Sequence, residues 1–137
     1  MNPERIKHLE LIQGVVNRLA GNSFSMKGWT VAIIAGLFAL SAKDANPYMV
    51  LITLMPSLCF WGLDSYYLRQ ERLFRALYNS SILENTSIPL FSMNIKLVEK
   101  KVASFCSVFF SRTIFWFHFP IFITILIFIT KKLIIKH

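Results

Sequence analysis

The chain has little of what soluble catalysis draws on. Its five glycines are scattered and build no phosphate-cradling loop, and its two cysteines, Cys59 and Cys106, lack the spacing of a metal site. Acidic residues number seven against fifteen Lys and Arg, for a net charge of +8, and no cluster of metal ligands or nucleophile-base pair stands out. Catalysis, a cofactor and a bound metal are therefore not expected. Charge of either sign is scarce at 16% of residues, whereas 55% are hydrophobic and 13 are Phe. With a mean hydropathy of +0.52, a chain of this length cannot hide its apolar surface in one core, so the excess must face lipid.

A spanning helix needs roughly 20 mostly apolar residues, and three stretches come close: 22–42, 47–63 and 113–130. The expectation is an all-α integral membrane protein, a single membrane domain of about three transmembrane helices. No short basic segment precedes the first apolar run, so no cleavable leader is expected and the first span should be retained. Residues 1–20 read as an amphipathic helix, with Ile6, Leu9, Ile12, Val16 and Leu19 at helical spacing. Residues 43–47 are a charged break ending in Pro47, which makes the first two spans a tight hairpin. The second span meets no breaker after Leu63 and should continue as a cytoplasmic helix to residue 79. The Ser- and Asn-rich stretch 79–93 reads as a loop, and 94–111 as a second amphipathic helix. The third segment, 113–130, either spans fully or is re-entrant.

Orientation follows from Lys and Arg counted by side. An N-terminus in the cytoplasm places eleven inside, namely Arg5, Lys7, Arg18, Lys27, Arg69, Arg72, Arg75, Lys96, Lys100, Lys101 and Arg112. Only Lys43, Lys131, Lys132 and Lys136 then lie outside, a distribution that favours N-in in a bacterial inner membrane. Trp29, Trp61 and Trp116 would all fall at the cytoplasmic interface.

Several groups are candidates for function. Gly21, Ser25, Gly28, Ala32, Ala35, Ala39 and Ala42 recur at alternating spacings of four and three, following Gly14, and form one small-residue stripe on the first span. Such stripes let helices approach closely in lipid, either within a chain or between subunits of a homo-oligomer. Lys27 and Asp64 sit at matching depths beside Trp29 and Trp61, where they either pair or, for Lys27, snorkel. With Arg69, Arg72 and Arg75 they would form a charged mouth in an oligomer. The arginines alternate with Tyr66, Tyr67, Phe74 and Tyr78, a mixture suited to anionic lipid or to a nucleotide or single-stranded nucleic acid. Asn22 and His118 are polar groups for helix packing or for lining a pore. Arg112 and His118 have a spacing that resembles the Arg-x(4-6)-His element of HEPN ribonucleases, but His118 lies inside an apolar span that RNA does not reach.

Residues 17–24, 27–29, 43–47 and 60–74, among them Phe60-Trp61-Gly62-Leu63-Asp64-Ser65-Tyr66-Tyr67, resemble small multi-pass bacterial membrane proteins. Some of these resemble anti-phage defence effectors, such as the HalA-type effector of Hailong and the two-span effectors paired with nucleotidyltransferases. The resemblance implies an oligomeric pore that depolarises the inner membrane during infection, gated by a nucleotide or oligonucleotide from a cognate nucleotidyltransferase. A phage holin-like pore and a non-conducting anchor that recruits a cytoplasmic partner are the competing readings.

Overall fold

A computed structural model describes residues 1–43, 48–83 and 85–135, and among these all regular structure is helical. Helix α1 runs without a break over Pro3–Lys43, about 60 Å at 1.5 Å per residue. Its start is well specified: the Asn2 side chain accepts from the Glu4 N–H at 3.1 Å, Pro3 takes the first helical position and Glu4 puts an acid in the first turn. What the sequence divides into an amphipathic helix at 1–20 and a span at 22–42 is therefore one rod. Gly21 costs only about 1 kcal/mol of helix propensity. Buried residues on both sides of it, Val16 and Ser23, hold the rod in place.

The second apolar helix is interrupted once, into α2 (Tyr48–Ile52) and α3 (Leu54–Ile82). Pro56 has no N–H to offer the Ile52 carbonyl, so the ladder fails there. Thr53 absorbs the break, its N–H and hydroxyl both donating to the Val50 carbonyl at 3.1 and 2.6 Å. At the other end α3 stops where Leu83 becomes extended. The hairpin residues 44–47 lie outside the described residues.

Residues 94–111 do not form the single amphipathic helix that their periodicity predicts. A 3-10 turn covers Ile95–Lys101, capped by the Asn94 side chain, and the short helix α4 covers Phe105–Phe109. Between them Val102 is extended, and Ser104 starts α4 by accepting from the Ser107 N–H. Two capping side chains within one stretch compete with a continuous helix and win.

Helix α5, Arg112–Ile135, is about 36 Å long, enough to cross a hydrocarbon core. It does not turn back. His118 near its start meets Asp64 of α3, and Lys132 near its end donates to the carbonyl and hydroxyl of Ser41, close to the end of α1, at 2.7 and 2.9 Å.

Three helical segments, Pro3–Lys43, Tyr48–Ile82 and Arg112–Ile135, are thus long and apolar enough to cross a membrane. Large apolar side chains such as Val31, Leu40, Met55, Leu58, Ile127 and Phe128 point outward from them, which supports a multi-pass membrane protein. Inside, the packing changes character along the bundle. At one end Ile12 and Val16 of α1 meet Leu77, Ile88 and Val98; at the other Ile34, Val50, Ile125 and Ile129 cluster. A polar layer lies between them.

Candidate functional site

That layer is built from three helices around one carboxylate. Asp64 of α3 is fully buried. Its Oδ1 accepts the Ser23 hydroxyl from α1, and its Oδ2 accepts both the Lys27 ammonium of α1 at 2.6 Å and His118 Nε2 of α5 at 2.8 Å. Lys27 also reaches the Ser23 oxygen at 3.3 Å. Ser23 and Lys27 are four residues apart, one helical turn, so both address the same acceptor. The remaining lone pairs of a buried carboxylate must be met by donors, and here three side chains converge to meet them.

An ionised carboxylate only accepts, so the hydrogen-bond network assigns the imidazole proton to Nε2 and leaves Nδ1 as a bare lone pair. His118 is 1% exposed, and among the described residues Nδ1 has no hydrogen-bond partner. Trp61 covers the ring, stacked at 5.9 Å between centroids and 10° between planes. Trp61 is in turn stacked on Phe109 at 4.6 Å, and its indole N–H donates to the Phe109 carbonyl at 3.0 Å. Helix α4 thereby closes the layer from the side.

No family model, curated protein or solved structure matches this chain.

The sequence sets Lys27 and Asp64 at matching depths and leaves pairing and snorkelling open; the structure pairs them. It adds His118, which sequence placed only as a packing or pore-lining polar group, and Ser23, whose signal was its helical spacing from Lys27. Trp61 is 4% exposed and part of the interior, whereas Trp29 and Trp116 are on the surface. Within the single chain, the arginines expected at a charged mouth do not join the Asp64 cluster. Arg69, Arg72 and Arg75 stand about 7 to 16 Å further along α3 than Asp64. Arg69 is turned to Glu99 at 3.5 Å and to the Ala103 carbonyl at 3.2 Å, and Arg75 to Glu71 at 2.8 Å. Asn22 is half-buried beside this layer.

The small-residue stripe lies elsewhere. Gly21, Ser25, Gly28, Ala32, Ala35, Ala39 and Ala42 are all exposed, while Ser23, Thr30, Ile34 and Ser41 form the buried face of α1. The stripe therefore does not seat α1 on the second helix. A Cβ added at Gly21 or Gly28 would meet nothing within 4 Å. Among the described residues, no three His, Cys, Asp or Glu side chains gather to hold a metal.

Proposed function

We propose that this chain is a membrane protein that assembles with copies of itself through the small-residue face of α1 and depolarises the membrane it enters. The observation that carries the reading is the outward placement of the stripe from Gly21 to Ala42, the kind of surface on which helices associate in lipid. A second consideration supports it. Trp61, Asp64, His118, Ile34 and Ile125 fill the centre of the bundle, so a conducting path has to run between chains rather than through one. The setting that the sequence resemblance implies is anti-phage defence, with the N-terminus in the cytoplasm of a bacterium and a partner protein, or a nucleotide or oligonucleotide made by it, as the trigger. Of the arginines proposed to meet such a polyanion, Arg72 is the one to test first, because Arg69 and Arg75 already have carboxylate partners.

The non-conducting anchor has one observation in its favour: a groove of about 530 Å³ between α1 and α3, lined by Ile6, Leu9, Gln13, Asn17, Tyr78 and Ile82, in the amphipathic part of α1. Membrane potential measured after induced expression separates the two. A pore lowers the potential of intact cells, and Gly28→Leu abolishes that effect. A parent protein that reaches the membrane, recruits a soluble partner and leaves the potential unchanged is an anchor, and the pore reading then fails.

A further inference from the structure

We infer that the junction of α1, α3 and α5 is a proton-binding site, with Nδ1 of His118 as the atom that takes the proton. The charged and titratable groups that face this imidazole are Asp64 from α3, at 2.8 Å, and Lys27 from α1, which holds the same carboxylate oxygen. Helix α4 reaches the ring through Phe109 and the Trp61 stack. With the imidazole neutral the junction balances: the Asp64 carboxylate carries one negative charge and the Lys27 ammonium one positive charge. Nδ1 is then a basic lone pair, buried and without a hydrogen-bond partner among the described residues. An unpartnered acceptor of this kind is costly to keep, and an imidazole is the side chain whose ordinary titration falls nearest neutrality.

A proton leaves a hydronium ion, or the water that carries it, and forms one N–H bond at Nδ1; Nε2–H stays on Asp64, no protein bond breaks and the junction goes from zero to +1. Lys27, with 21% of its side chain exposed, marks the edge at which the junction reaches the outside of the bundle. The added charge has two consequences. The imidazolium and the ammonium now share a single carboxylate oxygen, and the new N–H has no acceptor, so water is drawn in and the first turns of α5 part from α1 and α3. The imidazolium also lies against the face of Trp61, which makes that indole a reporter of the proton.

The test uses the full chain in lipid nanodiscs with Trp29→Phe and Trp116→Phe, which remove the two surface indoles and leave Trp61. Between roughly pH 9 and pH 4, Trp61 emission should fall reversibly along a one-proton curve, and the fall should be lost in the added variant His118→Gln. Emission that stays flat in the folded parent, or a curve that survives His118→Gln, overturns the proposal. Should His118→Gln fail to fold, nitrogen-15 histidine spectra of the parent decide. His118 must pass from the Nε2–H tautomer to a doubly protonated ring, and a ring that keeps one tautomer across the range excludes proton binding at Nδ1. Neither readout measures current, so the result stands whether or not the protein conducts.

Discussion

At Lys27 a single side chain decides whether the interior of the bundle carries a net charge. Lys27→Met would leave Asp64 fully buried with a hydroxyl and an imidazole but no permanent counter-charge. Removing one partner of a buried pair costs about 3–5 kcal/mol, because the other is left uncompensated. Unfolding of the detergent-solubilised protein by denaturant should register a loss of that size, and the double variant Lys27→Met with Asp64→Leu should recover only part of it, because the buried Ser23 hydroxyl and His118 Nε2–H lose their acceptor. Equal stability of Lys27→Met and the parent would mean that the ammonium is held by water instead. The proximity of Lys27 and Asp64 was legible in the sequence, because they stand beside tryptophans at matching depths of a hairpin, but whether Lys27 pairs or snorkels was not. His118 was not legible as a third member of this group. Helix α5 is apolar on every side, so its periodicity marks no inner face, and the partner of His118 lies 54 residues away on another helix.

Among the helices, α1 offers two faces of different use, the one bearing Thr30 and Ile34 turned inward and the small stripe turned away. Gly28→Leu therefore enters open space in the single chain. It should leave the folded protomer within about 1 kcal/mol of the parent, since replacing a helix-interior Gly gains propensity. Its cost should fall on association instead, seen as a shift from oligomer to protomer in analytical ultracentrifugation at fixed detergent. Loss of the fold itself would show that the stripe packs within the chain. Ala35→Leu is the companion, because Ala35 also lines a groove of about 200 Å³ between α1 and α5, bounded by Val31, Ile34, Phe38, Ile121 and Thr124. Apolar run length located all three long helices. It missed the breaks that single side chains impose: Pro56 divides the second helix, and Asn94 and Ser104 each cap a new start within a stretch whose spacing alone reads as one helix.

For the molecule as a whole, the distribution of Lys and Arg is the strongest topological statement. A reporter fused after Tyr78 should read cytoplasm, and one inserted at Asn46 the opposite side. The reverse pair of readings would invert the protein and favour a holin-like arrangement. Whichever way it inserts, α5 is pinned at two points fourteen residues apart, by His118 on Asp64 and by Lys132 on Ser41. Along α1 the matching positions, Lys27 and Ser41, are also fourteen apart, so α1 and α5 share one register over about 21 Å. Piston travel of α5 by a helical turn, about 5.4 Å, would take His118 off Asp64 and Lys132 off Ser41 together. If the pin at His118 releases first, the pin at Lys132 becomes a pivot, and the motion left to α5 is a swing that opens one end of the bundle while the other stays shut.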